Sequence, residues 1–228
     1  MSMLIIAITA FVGSHFALSH PLRAPLVRAL GQQGFMLVYA LVAFATLGWT
    51  AHVYQAMPAQ PLLWPVGDVL WAAATVLMLF ASVLFVGSLI GNPALPDPKA
   101  TAKPVPAARG VFAITRHPMM WSFAIWALVH IAIYPTPGNI ALCLGILVLA
   151  LLGSALQDRK KRDLQPEFWP QWQSATSYWP FGAIAAGRTR LGGFRGHDLA
   201  GGVVVWLVAT WAHLPLAGWA AGIWRWIG

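Results

Sequence analysis

Apolar residues run in six blocks along this chain, at roughly 3–20, 34–56, 67–91, 118–134, 139–157 and 199–220, separated by stretches rich in Gly, Pro and charge. A helix of about 20 residues crosses a hydrocarbon core of about 30 Å, and most of the blocks reach that length. None shows the ten-residue alternation of polar and apolar positions that a closed β-barrel needs, so the pattern predicts helices. The expected fold class is all-α: a polytopic membrane protein of about six transmembrane helices in one bundle. Neither a repeat nor a soluble domain is visible, so residues 1–228 are read as a single membrane domain. The first block is read as a mature helix, because Met1 to Ala10 carries no basic residue and no small-x-small site precedes Pro21.

Composition agrees, with 59% hydrophobic and 9% charged residues, and charge adds an orientation. Of the 14 Lys and Arg, all except Arg225 fall between blocks one and two, three and four, or five and six. The loops from Met57 to Val66 and from Pro135 to Gly138 have none. The positive-inside rule makes the basic side cytoplasmic and puts both termini outside. Topology thus accounts for the net charge of +8, and basic loops meeting anionic headgroups explain it better than nucleic acid, for which no motif appears.

Two basic-side loops are long. Asn92 to Arg109 contains Pro93, Pro96, Pro98, Pro104 and Pro106, which predicts an extended strap across the cytoplasmic face. Asp158 to Gly196 carries Phe168, Trp169, Trp172, Tyr178, Trp179 and Phe181, which predicts partial helix lying in the headgroup interface. In the last segment Pro215 is expected to bend the helix, leaving Trp219, Trp224, Arg225 and Trp226 at the outer surface. None of the six acids is placed mid-membrane, which argues against proton-coupled transport and a carboxylate-bridged di-metal site. Cys143 is the only cysteine and is read as a small apolar residue.

Chemistry therefore rests on the seven histidines. His15, His130 and His213 lie inside apolar blocks, where an ionisable residue is costly and marks function by default. Counted from the basic side, His130 and His213 match at about 20 Å depth, whereas His15 lies at about 12 Å. Each has two open roles: a metal or haem ligand, or a polar group hydrogen-bonded between helices. His117, in Thr115-Arg116-His117-Pro118, precedes a proline at a predicted helix start, and Arg116 can snorkel to phosphate, so a structural or headgroup role suits both. His20, His52 and His197 are read as surface residues.

Gly13-Ser14-His15, Pro21-Leu22-Arg23, Thr115-Arg116-His117-Pro118, Trp126 with His130, Asp158-Arg159-Lys160, Trp179-Pro180-Phe181 and Ala212-His213-Leu214-Pro215 together resemble the NnrU family, whose plant and cyanobacterial relatives are 15-cis-ζ-carotene isomerases. The resemblance implies an integral membrane protein that binds haem b, with His15 and His130 as axial ligands and His117, Arg116 and His213 as further candidates at the cofactor. It implies a role in nitrite and nitric oxide metabolism in a bacterial inner membrane, with a nitrogen oxide or a hydrophobic polyene as ligand. The isomerases resemble Trp-Cys-Leu-Ala-His where this chain has Trp126-Ala127-Leu128-Val129-His130, so a thiolate ligand is impossible here and His213 is the expected replacement. The alternatives are haem-dependent cis-trans isomerisation of a polyene and, below it, a membrane methyltransferase of the isoprenylcysteine type. The latter shares Arg-His-Pro, but its motif continues with Tyr and Gly where this chain has Met119-Met120-Trp121-Ser122.

Overall fold

The computed structural model describes residues 1–95 and 104–227, and the described residues are helical with no strand. Six helices match the six apolar blocks: α1 (Ser2–Ser19), α2 (Arg23–Gln55), α3 (Asp68–Gly87), α5 (Pro118–Ile133), α6 (Pro137–Leu164) and α9 (Gly196–Trp211). Between and after them lie the short α4 (Val111–Ile114), α7 (Phe168–Ala175), α8 (Gly182–Ala185), α10 (His213–Ala217) and α11 (Trp224–Ile227). Five segments are long and apolar enough to cross a membrane, while α5 is apolar but has only 16 residues, about 24 Å of rise. The protein is a polytopic helical membrane protein.

Local chemistry sets the helix ends. Thr136 caps α6 by accepting from the Asn139 backbone N–H, with Pro137 in the first turn. Pro118 opens α5 in the same way. Asp68, in the first turn of α3, lies where the helix dipole favours an anion. The 33 residues of α2 are interrupted at Gly31, whose φ of 69° is open to glycine and breaks the helical geometry. Residues 23–30 therefore form an arm distinct from the span that follows. The last block breaks at Ala212, three residues ahead of Pro215, because the proline has no N–H to give to Trp211. Beyond it the chain folds back: Trp224 Nε1 donates to Leu207 O, and Arg225 pairs with Asp68 at 3.1 Å.

The spans pack in the order α2, α1, α6, α5, α3, α9, each against the next. Small residues permit the close approaches. A β-carbon on Gly202 of α9 would lie 2.8 Å from Val83 Cα of α3, and one on Gly145 of α6 would collide with Ile8 of α1. The Lys160 ammonium near Ser19 O and the Arg116–Asp158 pair bring the end of α1, the start of α5 and the end of α6 together, so these basic residues share one face. At the other end the 57–66 loop covers the α5–α6 turn, with Trp64 Nε1 donating to Ala132 O and the Gly138 N–H to Gln60.

The main buried cluster lies near the basic end and includes Leu84, Val111, Phe112, Trp121, Ala150, Trp169 and Trp172. The partial helix expected in the aromatic segment is present as α7 and α8. Phe168, Trp169 and Trp172 fall on one stripe of α7 and are buried against the bundle, while Trp179 and Phe181 remain exposed. Of the expected strap, residues 96–103 lie outside the described residues. The flank before them is anchored to α6, where Gln157 donates to Ala94 O and Lys161 to Pro93 O.

Candidate functional site

The three intramembrane histidines share one local geometry. Nδ1 of His15 is 2.8 Å from Phe11 O, that of His130 is 2.8 Å from Trp126 O, and that of His213 is 2.8 Å from Ala209 O. A carbonyl oxygen only accepts, so in each neutral ring Nδ1 carries the proton and Nε2 keeps its lone pair. Such anchoring of one nitrogen to a carbonyl is what fixes the other for a metal.

Packing order then decides which rings can meet. His130 on α5 and His213 at the start of α10 stand with ring centres 6.2 Å apart, both lining a cavity of about 80 Å³ with Trp71, Met78, Trp126 and Trp206. α5 and α9 both pack along α3 and touch each other little, which leaves this gap between them. The Trp126 ring stacks on His130 at 4.1 Å. The Asn139 amide donates to His130 O and Tyr134 O at 2.9 and 2.7 Å, which fixes the end of α5. Trp206 Nε1 is buried in the cavity wall with no hydrogen-bond partner among the described residues.

His15 is elsewhere. Its ring lies edge-on to Tyr39 of α2, with centres 5.4 Å apart, and α6 stands between α1 and α5. Ile8 faces Gly145 and Phe16 faces Gly153, so His15 is level with Leu152, whereas His130 is level with Asn139. That interval of α6 amounts to about 20 Å of rise. The structure thus brings His130 to His213 and holds His15 apart from both.

A second constellation lies at the basic end. His117 Nε2 is 2.8 Å from Asp158 Oδ1, and Arg116 grips the other oxygen through Nε at 2.8 Å and an Nη at 2.7 Å. Of the two roles expected for this segment the structural one holds: His117 is 1% exposed and the Arg116 and His117 side chains are both committed to Asp158. Thr115 Oγ1 and Trp121 Nε1 donate to Tyr178 O, the Arg116 N–H donates to Ser177 O, and the Phe181 N–H donates to Ile114 O. The Trp179-Pro180-Phe181 stretch is thereby clamped over the start of α5. Burial outweighs the neighbouring carboxylate and holds the His117 pKa below its ordinary 6.5.

Sequence reasoning missed Asp158, which was assigned to a loop although α6 continues to Leu164. The available signal was helical spacing, since Ser154, Asp158 and Lys161 fall on one face. Of the remaining histidines, His197 pairs with Asp198 at 2.8 Å. Cys143 is buried, with Asn139 Oδ1 as its hydrogen-bond partner. Among the described residues no group of three or more His, Cys, Asp or Glu is arranged for a metal ion.

A haem needs two things of these residues. The donor chemistry fits: His130 and His213 each have Nδ1 held by a carbonyl, which leaves Nε2 as the donor atom that would hold the iron, and their ring centres lie 6.2 Å apart. The enclosed volume is far below the roughly 300 Å³ of a small-molecule pocket, so a macrocycle requires α5 and α9 to part along their lightly packed seam.

No curated protein matches this chain, and no solved structure does. The model of the NnrU family, described as NnrU protein, matches residues 3–221, and the chain belongs to that family.

Proposed function

We propose that this NnrU-family membrane protein binds haem b through His130 and His213 and serves nitrogen-oxide metabolism in the membrane. The supporting observation is the His130–His213 pair, with both Nδ1 atoms anchored and the ring centres 6.2 Å apart on one cavity. When bound, haem supplies a one-electron redox centre whose potential follows its axial ligands and burial. The chain's own part is to hold the ligands. Trp126 and Ala209 carbonyls set the tautomers, Asn139 fixes the His130 backbone, and Trp71, Trp126 and Trp206 exclude water. His15, the partner implied by resemblance, becomes a packing residue against Tyr39 in this reading.

The test is an absorption spectrum of the detergent-purified protein, oxidised and dithionite-reduced, with a pyridine haemochrome assay. Near-stoichiometric haem b is expected, with low-spin bands altered by His130→Ala and by His213→Ala and unchanged by His15→Ala. A colourless protein after haem-supplemented expression overturns the proposal. Bands lost with His15→Ala and kept with His213→Ala replace the ligand pair and retain the haem.

One observation favours polyene isomerisation as a second reading. The lining of the His130–His213 gap is largely apolar, with Trp71, Ala74, Met78 and Ile133, which suits a hydrophobic ligand as well as a diatomic one. Conversion of 15-cis-ζ-carotene by the reduced, haem-loaded protein supports that reading, and nitric oxide binding without conversion supports the first.

A further inference from the structure

A groove of about 680 Å³ opens at the basic end between the close of α1, the arm of α2 before Gly31 and the end of α6. Its two halves differ in chemistry. Phe16, Ala17, Leu152 and Leu156 form an apolar floor along α1 and α6, while His20, Arg23, Arg159 and Lys160 stand at its mouth with one acid, Asp163.

The cations lack counter-charges. Among the described residues no carboxylate lies in salt-bridge contact with Arg23, Arg159 or Lys160. Arg23 makes only a 3.4 Å hydrogen bond to Gln32 and a stacking contact with Phe35, and Lys160 reaches Ser19 O at 3.5 Å. Lys160 and Arg23 also repel each other, and the His20 pKa is held down by burial and by Lys160. Like charges kept this close favour an anion between them. An apolar trough running from that anion site along two membrane helices favours an acyl chain.

The geometry points to a specific site for one anionic phospholipid of the basic-side leaflet, its phosphate held by Arg23, Arg159 and Lys160 and a chain laid on Phe16, Ala17, Leu152 and Leu156. Arg23 and Ala24, at the start of the α2 arm that ends at the Gly31 break, line the groove with α1 and α6, so the lipid bridges all three. The site is separate from the haem reading and stands or falls without it.

The test is native mass spectrometry of the full-length protein released from detergent micelles, after incubation with equal amounts of phosphatidylglycerol and phosphatidylcholine. One phosphatidylglycerol surviving stepwise collisional activation is expected, retained at least tenfold over phosphatidylcholine. Arg159→Gln with Lys160→Gln is expected to abolish that preference. Ala17→Phe fills the trough without changing charge and is expected to reduce retention as well, whereas Arg162→Gln, an exposed cation on the same helix outside the groove, leaves it intact. Equal retention of the two lipids by the unaltered protein overturns the proposal. So does loss of preference with Arg162→Gln equal to that of the double variant, which reports general leaflet charge. Displacement of the lipid by millimolar inorganic phosphate, with Ala17→Phe without effect, overturns it too, since the groove then holds a free anion.

Discussion

Asp158 holds His117 by one nitrogen only: Nε2 bonds the carboxylate at 2.8 Å, and Nδ1 on the far side of the ring is buried with no hydrogen-bond partner among the described residues. Since an ionised carboxylate only accepts, Nε2 carries the proton and Nδ1 keeps a bare lone pair. Arg116 completes the charge balance, so the ring is held as a neutral, oriented acceptor between Trp169 and Tyr178.

Asp158→Asn leaves the Arg116 guanidinium buried without its counter-charge. Breaking a buried pair from one side costs about 3–5 kcal/mol, so a large fall in unfolding free energy is expected in denaturant titration of the detergent-solubilised protein. A loss below about 1 kcal/mol contradicts the central role of the carboxylate.

The pH dependence has a definite sign. Because the folded His117 ring binds its proton less readily than at the ordinary 6.5, the unfolded chain takes up the proton first as pH falls. Its contribution to stability is therefore full above about pH 6.5 and is lost as pH falls from there toward the folded pKa. Melting temperature measured between pH 8 and pH 5 is expected to drop on the acid side, and His117→Gln to flatten the drop.

Gly202→Val is expected to force α9 away from α3, because the new β-carbon meets the Val83 backbone as well as its side-chain methyl, and the backbone cannot turn aside. Overpacking of this kind costs about 1–3 kcal/mol. On the proposed haem reading, the measurement that separates it from general damage is haem content per folded protein, expected to fall because α9 leads into His213.

Asn139→Ala removes the side-chain donor shared by His130 O and Tyr134 O, each of which keeps a backbone donor (the Tyr134 and Thr136 N–H), so the loss is that of ordinary hydrogen bonds, about 0.5–1.5 kcal/mol each. A shift of the haem bands smaller than that of His130→Ala, with His15→Ala as the silent control, is the expected spectral result.

Much of this arrangement was legible in the chain. The six apolar blocks set the six helices, and depth counting placed His130 level with His213 while setting His15 at another level. What depth cannot supply is azimuth and neighbour order: that α6 separates α1 from α5, and that α5 and α9 share α3, is decided by small-residue approaches such as Gly145 to Ile8 and Gly202 to Val83. The aromatic run after Glu167 was legible as partial helix, but composition does not say which of its side chains pack onto the bundle. Trp169 and Trp172 are inward because Thr115, Trp121 and Arg116 tie the following segment down. Asp158 was missed for a related reason, since a charged patch looks like a loop until the helix is seen to run through it.

The brevity of α5 has a consequence for the lipid around it. With 16 residues it spans about 24 Å, against about 30 Å of hydrocarbon, so beside its exposed Phe123 and Leu128 the difference falls to local thinning of the bilayer or to the flanking residues. Where the bilayer thins, water on the two sides is nearer together along α5 than beside the longer α3 or α6. The helix that carries His130 is then the one with the shortest apolar path beside it.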